Sequence, residues 1–183
     1  MTDIPAPDGS SPRRQRFDGP PPVVIDTERR YTATIETTKG TVVAELDALG
    51  APVTVNNFVF LARWHYFDGI VFHRIIPGFV IQGGDPEGTG RGGPGYRFAD
   101  ELPKPGRYRI GSLAMANSGP DTNGSQFFII SGSDGARLPP QYSLFGSVVR
   151  GGEVVEAIDA LGSPSGAPRE RIVIESLTVA EHE

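Results

Sequence analysis

Cysteine is absent from this chain of 183 residues, which excludes disulfides, thiolate metal sites and thiol nucleophiles. Histidine is scarce, and the spacing of His65, His73 and His182 matches no zinc motif, so we expect no metal and no other cofactor. No apolar run approaches the roughly 20 residues of a membrane span, and the N-terminus lacks the apolar core of a signal peptide. We therefore expect a cytoplasmic protein without a membrane partner.

Positive charge is also in short supply. The chain has 17 Lys and Arg against 22 Asp and Glu, with a formal net charge of -5 and a pI of about 5.2. Partners such as nucleic acids usually require a clustered basic surface, so we expect none of that class. The length suits one folded domain, which we expect to be a monomer.

The first 30 residues have almost no apolar periodicity. They are rich in proline and arginine, namely Pro5, Pro7, Pro12, Arg13, Arg14, Arg16 and Pro20 to Pro22. Such a segment buries too little apolar surface to offset its ordering entropy. We predict a flexible or partly extended leader over residues 1–30, followed by a folded domain over 31–183. The alternative is a docking segment for an aromatic groove, because the proline run favours a polyproline II helix.

Alternating apolar residues predict a β-hairpin over 31–46, with Gly40 providing the positive φ of its turn. Pro52 suits the first position of an amphipathic helix, and a second helix is predicted to end at Gly162. Further strands are predicted near 70–76, 79–83, 96–98, 109–116, 126–131, 143–149 and 171–179. Many short strands with two isolated helices indicate a mainly β protein built as an antiparallel barrel.

Two segments combine polar side chains with strongly apolar neighbours. In FHRIIPGFVIQGG, residues 72–84, alternation places Phe72, Arg74 and Ile76 on one face, and His73 on the other. In QFFII, residues 126–130, both faces are apolar. Because no adjacent helix is available to cover this strand, one face is predicted to line the barrel interior and the other to hold an apolar ligand.

These segments, extended as FHRIIPGFVIQGGDPEGTGRGGPGYRFADE and LAMANSGPDTNGSQFFI, resemble the cyclophilin family of peptidyl-prolyl cis/trans isomerases. The similarity runs from about Tyr31 to Val179. It implies a closed eight-stranded antiparallel β-barrel capped by two α-helices. It also implies an isomerase of X-Pro peptide bonds that assists protein folding, with proline-containing peptides and unfolded or folding proteins as partners.

The resemblance also assigns roles to individual residues. Arg74 and Gln82 match the catalytic positions. The arginine acts on the prolyl nitrogen, and the side-chain amide of Gln82 orients the arginine. The remaining matches are substrate-binding positions: Phe79, Val80, Ala116, Asn117, Gln126, Phe128, Leu138 and Tyr142. Phe79, Phe128 and Leu138, taken singly, would equally suit ordinary core positions.

The chain departs from the family pattern in three places. Val80 stands where many members have methionine, and Tyr142 stands where histidine is common; tyrosine keeps an aromatic body and a polar tip. Arg137 occupies the position at which cyclosporin-sensitive members carry tryptophan. The missing indole predicts weak cyclosporin binding.

Two alternative functions are an X-Pro binding module and a nucleotide-binding protein. The same fold could bind X-Pro segments as a chaperone module with little turnover. Gly88, Gly90 and Gly93 fit G-x-G-x-x-G, but Pro94-Gly95 follows instead of the helix that a dinucleotide site requires. We therefore expect a flexible glycine connection beside the groove.

For His73 a hydrogen-bonded structural role is favoured over general base catalysis.

Overall fold

The computed structural model describes residues 3–183; Met1 and Thr2, the start of the predicted leader, lie outside the described residues. The strands are β1 Arg30–Thr37, β2 Gly40–Leu46, β3 Arg74–Ile76, β4 Val80–Gly83, β5 Ser112–Met115, β6 Phe127–Ile130, β7 Leu144–Arg150 and β8 Ile174–His182. The helices are α1 Pro52–Arg63 and α2 Gly152–Asp159, and a 3-10 turn spans Gly135–Arg137. No helix in the described part of the chain is both long and apolar enough to cross a bilayer.

The strands form one antiparallel sheet in the order β3-β4-β6-β5-β7-β2-β1-β8, which confirms the predicted mainly β fold of eight strands and two helices. The first and last strands pair along their length. The sheet edges β3 and β8 meet only at a seam, where Val71 bridges Val173 and the Phe72 N–H donates to the Ile172 carbonyl at 3.0 Å. The sheet is therefore strongly curled. The prediction of a closed barrel is slightly overstated, because loop residues rather than a strand ladder complete the seam.

Local sequence accounts for the elements that frame the sheet. Gly40 has φ +131°, and a Cβ there would lie 2.8 Å from Val154 of α2, so the hairpin turn and the close helix both favour glycine. Pro52 is the first residue of α1, as predicted. Helix α1 lies against β8, and α2 against β2, β3 and β4. Two predictions were wrong in detail: α2 ends at Asp159, and 96–98 forms only an isolated bridge at Phe98.

Strand β6 separates two apolar clusters. Phe127 and Ile129 belong to the main core inside the curled sheet, whereas Phe128 and Ile130 belong to a smaller cluster on the opposite face. Period-2 geometry explains this division, because successive side chains of a strand point to opposite faces. Both faces of β6 are therefore apolar, as predicted: one faces the interior of the curled sheet, and the other forms an apolar surface outside it.

The N-terminal segment lies against the domain surface. The Phe17 N–H donates to the Pro94 carbonyl at 2.9 Å, and the Arg14 N–H donates to the Trp64 carbonyl at 2.9 Å. The Phe17 side chain is only 3% exposed and belongs to the main core. The division into leader and domain at residue 30 stays a prediction, but these contacts could not be predicted from the residues of the leader.

Candidate functional site

A small hollow of about 140 Å³ opens on the outer face of the sheet. Its volume is close to that of a cavity able to hold a benzene ring, so one five-membered ring fits. Nine of the ten residues predicted for the site line it: Arg74, Phe79, Val80, Gln82, Ala116, Asn117, Phe128, Leu138 and Tyr142. The tenth, Gln126, lies in an adjoining larger hollow.

Arg74 is held at the rim of the small hollow by its strand partner. It is paired with Gln82 across β3 and β4, and its Nη1 donates to Gln82 Oε1 at 3.3 Å. Its guanidinium carbon lies 6.0 Å from the Phe79 ring centroid, within cation–π range. On the other side, a Cβ at Gly166 would lie 3.0 Å from Arg74 Cγ, so the absence of a side chain leaves room for the arginine stem. The cation is therefore positioned from three directions.

Sequence alternation misplaced one neighbour of this arginine. Phe72 was predicted to share its face, but Phe72 is 1% exposed and packs in the main core, whereas Arg74 is exposed. The reason is that β3 begins only at Arg74, so strict alternation does not extend back to residue 72. The apolar neighbour of Arg74 in the hollow is Phe79 instead.

A chain of side-chain amides continues from the arginine. Gln82 Nε2 donates to Gln126 Oε1 at 3.2 Å, and Gln126 Nε2 donates to the Gly92 carbonyl at 3.0 Å. Each amide thus uses its oxygen to accept and its nitrogen to donate in one direction. Gln126 contacts the site residues through Gln82, and its bond to Gly92 links the arginine to the glycine-rich loop, residues 84–97.

The apolar wall of the hollow is built around two aromatic rings. Phe128 and Tyr142 meet edge to face, with ring centroids 5.4 Å apart and planes at 80°. Tyr108 fixes the backbone of Tyr142, because its hydroxyl donates to the Tyr142 carbonyl at 2.6 Å and accepts from the Tyr142 N–H at 3.1 Å. Tyr108 is a supporting residue that sequence reasoning missed, since its only sequence signal is an aromatic residue in a loop far from residue 142.

Main-chain groups at the end of β5 complete one side. The Ala116 N–H donates to the Gln126 carbonyl at 3.0 Å, and Asn117 Nδ2 donates to the Gln141 carbonyl at 2.9 Å. Beyond these bonds, no partner within residues 3–183 engages the Ala116 carbonyl or the Asn117 N–H. The residues that line this side of the hollow therefore have a main-chain acceptor and a main-chain donor left for an extended peptide.

The glycine-rich loop is organised by Asp85 rather than by a phosphate. Its carboxylate accepts from the N–H groups of Glu87 at 2.8 Å, Thr89 at 3.0 Å and Gly90 at 2.6 Å. Burial alone would raise the pKa of Asp85, but these bonds and one from Gly92 hold the pKa below its usual value. Because the carboxylate already occupies these donors, they are not free to bind a nucleotide phosphate.

His73 does not have the hydrogen-bonded role expected for it. Its Nδ1 is buried and has no hydrogen-bond partner among residues 3–183. A Cβ at Gly90 would lie 3.6 Å from His73 Nε2, so the ring faces the glycine-rich loop. Burial lowers the pKa of His73, the Asp85 charge opposes this change and the Arg74 charge adds to it. The ring is therefore neutral and structural at neutral pH.

Comparison with known proteins identifies relatives of the whole folded part. Residues 32–179 match the family model "Cyclophilin type peptidyl-prolyl cis-trans isomerase/CLD". The chain is 45% identical to peptidyl-prolyl cis-trans isomerase A of Mycobacterium tuberculosis over 168 residues, covering 81% of this chain and 92% of the relative. It is 46% identical to peptidyl-prolyl cis-trans isomerase B of Streptomyces anulatus over 167 residues, covering 80% and 95%.

A solved structure supports the same grouping. A cyclophilin type peptidyl-prolyl cis-trans isomerase of Cryptosporidium parvum aligns with a TM-score of 0.76 at 34% identity, covering 84% of this chain and 99% of that one. A structure of that protein in the presence of the dipeptide Ala-Pro aligns with a TM-score of 0.75 at 36% identity, covering 81% and 98%. The family model over residues 32–179 and these alignments show that the chain belongs to the family of cyclophilin-type peptidyl-prolyl cis-trans isomerases.

Proposed function

We propose that this protein catalyses cis/trans isomerisation of X-Pro peptide bonds, without covalent chemistry, through the guanidinium of Arg74. The observation that carries the proposal is the position of this cation, bonded to Gln82 at the rim of an apolar hollow of about 140 Å³. The hollow accepts the prolyl ring, and the arginine faces the amide nitrogen next to it.

The energetic demand is modest for an enzyme. Resonance in the C–N bond creates a rotation barrier of about 18–20 kcal/mol, and uncatalysed X-Pro exchange takes roughly tens to hundreds of seconds. Exchange in milliseconds requires the barrier to fall by about 7 kcal/mol, at about 1.4 kcal/mol per decade. No bond between protein and substrate is needed to reach this value.

The arginine supplies part of that stabilisation. In the twisted amide the nitrogen lone pair is no longer delocalised into the carbonyl, and a cation directed at it favours the twisted form over the planar one. One preorganised contact of this kind contributes about 3 kcal/mol. The remainder comes from holding the substrate on both sides of the bond: Phe79, Phe128 and Leu138 hold the ring, and the main chain of Ala116 and Asn117 pairs with the peptide.

The substrates are proline-containing peptides and folding proteins. The Ala-Pro dipeptide present with the Cryptosporidium parvum relative supports this class, since that protein shares the fold and 36% of its residues over the aligned region. That the protein acts as a monomer stays a prediction. Its cytoplasmic location stays a prediction. Cyclosporin binds weakly, because Arg137 provides no indole.

The decisive experiment compares X-Pro exchange in a short peptide with peptide binding, using wild type, Arg74→Ala and Arg74→Lys. We expect Arg74→Ala to lower kcat/KM by about 10²-fold while peptide affinity changes only a few-fold, and Arg74→Lys to recover part of the rate. Arg150→Ala, at an exposed position of β7, is the matched control.

Two results would overturn the proposal in different ways. Full activity of Arg74→Ala would remove the arginine from the mechanism. Wild-type protein that binds the peptide without accelerating its exchange would instead identify an X-Pro binding module.

A further inference from the structure

A second, larger hollow of about 610 Å³ adjoins the small one. The two share Gln82, Ala116 and Asn117 in their walls. A peptide whose proline occupies the small hollow therefore extends directly into or past the larger one. Because the two hollows share these lining residues, the peptide residues nearest the proline in sequence are the ones that reach the larger hollow.

The N-terminal leader forms part of the wall of this larger hollow through Arg16. The peptide group between Arg16 and Phe17 is fixed by two hydrogen bonds: Arg14 Nε donates to the Arg16 carbonyl at 3.1 Å, and the Phe17 N–H donates to the Pro94 carbonyl at 2.9 Å. A Cβ at Gly95 would lie 2.4 Å from the Phe17 carbonyl, so the leader and the glycine-rich loop are in close backbone contact.

The Phe17 side chain anchors this contact. Its ring centroid lies 5.0 Å from that of Phe60 and 6.4 Å from that of Tyr96, and the Arg14 guanidinium carbon lies 4.8 Å above it. A buried aromatic side chain with such neighbours is costly to remove, so it holds the segment against the domain. Arg16 is thus presented from an anchored segment, not from a free tail.

The larger hollow is positively charged within an acidic protein. Arg16, Arg91 and Arg97 line it with Glu87, which gives three positive charges and one negative charge, whereas the whole chain has a net charge of -5. All four residues are exposed. No ion pair formed within residues 3–183 includes any of these arginines. Their guanidinium groups are available to a ligand.

We propose that the larger hollow selects proline-containing substrates with an acidic side chain close to the proline in sequence, and that Arg16 of the leader is a specificity-determining residue. This inference rests on the proposed isomerase function. Guanidinium groups bind carboxylates by paired N–H donors, and a cleft lined by one sign of charge also raises the local concentration of opposite charge.

Arg16 has a particular place in this selection. Arg91 and Arg97 belong to the loop within residues 32–179 that match the family model, and Glu87 of the same loop offsets one of their charges. Arg16 lies outside the matched range and adds charge from a separate segment. The two loop arginines and Glu87 give the hollow a net charge of +1, and Arg16 of the leader raises it to +2.

The expected effect is moderate, because exposed ion pairs are weak and are screened by salt. We expect kcat/KM for a glutamate-containing peptide to exceed that for the glutamine analogue by about three- to tenfold at low ionic strength. The preference should decline at high salt, because the contacts are solvent-exposed.

The test uses the full chain and two sets of short X-Pro peptides, with Glu, Gln or Lys either two residues before or two residues after the proline. The Glu/Gln ratio of kcat/KM is measured for wild type, Arg16→Gln and Arg16→Glu. Arg13→Gln is the matched control, because Arg13 is also exposed in the leader but does not line the larger hollow.

Support for the proposal is a Glu/Gln ratio of kcat/KM in one peptide set that exceeds one in wild type, falls in Arg16→Gln and is unchanged in Arg13→Gln. In Arg16→Glu, kcat/KM for the Lys peptide of that set should rise relative to the Glu peptide. Equal rates for Glu and Gln peptides in wild type, or a ratio unaffected by Arg16→Gln, would overturn it while leaving the isomerase function intact. If wild type accelerates none of the peptides, the proposed function itself fails and the specificity proposal fails with it.

Discussion

Arg74 and Gln82 face each other across the first two strands of the sheet edge, and the arginine Nη1 lies 3.3 Å from the glutamine Oε1. Register fixes this pairing, because β3 and β4 are joined by a tight turn around Gly78, which has φ +77°. A shift of one residue would turn Arg74 toward the core. The orientation of the candidate catalytic cation therefore depends on the β3–β4 turn.

Replacing Gln82 by alanine should lower kcat/KM for an X-Pro peptide by about tenfold, since a hydrogen bond to a charged group contributes about 1.5–3 kcal/mol and water replaces part of it. The measurement is a double-mutant cycle with Arg74→Ala. We expect the double mutant to be little slower than Arg74→Ala alone. Fully additive losses would show that Gln82 acts independently of the arginine.

Phe127 and Phe128 are adjacent in β6 and provide a matched pair of substitutions. Phe127→Ala creates a cavity in the main core and should cost about 3–5 kcal/mol of the free energy of unfolding. Phe128→Ala enlarges an existing outer hollow and should cost less, about 1.5–3 kcal/mol, but should reduce kcat/KM more strongly. Urea unfolding and peptide kinetics measure the two effects. Greater loss of activity per folded molecule in Phe127→Ala would contradict the assignment of the outer face.

Strand β6 shows how far the sequence alone could predict this site. The run FFII predicted two apolar faces, and the structure assigns Phe127 to the core and Phe128 to the hollow. Period-2 alternation is a local property, so it can be inferred from consecutive residues. The grouping of residues from four separate segments around one hollow came instead from resemblance to a family, because contacts between distant segments leave no periodic signal.

The leader illustrates what sequence reasoning could not supply. Phe17 is one aromatic residue without apolar periodicity around it, yet it packs against Phe60 and Tyr96, which lie far away in the sequence. The same limitation applies to Asp85, whose carboxylate organises the glycine-rich loop. A single residue that satisfies a distant cluster or a set of backbone donors resembles any other loop residue until the fold brings its partners together.

Phe17→Ala should lower the free energy of unfolding by about 3–5 kcal/mol, because it removes a buried aromatic ring from the main core. The control is Ile4→Ala, which changes a leader residue that is 68% exposed and should cost less than about 0.5 kcal/mol. Urea denaturation of both variants gives the comparison. Similar small values for the two would support the predicted flexible leader over the docked one.

Cyclosporin affinity should be weak in wild type and should increase by about 30-fold in Arg137→Trp, since a buried tryptophan at an interface contributes about 2 kcal/mol or more. The Arg137 side chain is 80% exposed and next to Leu138 of the small hollow, so an indole there can cover a ligand. Inhibition of X-Pro exchange measures the effect, with Arg150→Trp as control. A nanomolar inhibition constant for wild type would show that the indole is not required.

Stability should decline in weakly acidic solution partly because of His73. Burial lowers the pKa of this ring below its ordinary value of 6.5, so the unfolded chain binds a proton more readily than the folded one. The contribution of the neutral ring is present above pH 6.5 and is lost as the pH falls through that value toward the folded pKa. His73→Phe removes the titrating group and should reduce the slope of unfolding free energy between pH 7 and 5, by less than the roughly 1.4 kcal/mol per pH unit of one full proton. The measurement is urea unfolding of wild type and His73→Phe across this pH range; His65 and His182 remain in both proteins, so the difference reports on His73 alone. Parallel pH profiles of the unfolding free energy would refute the buried, neutral His73.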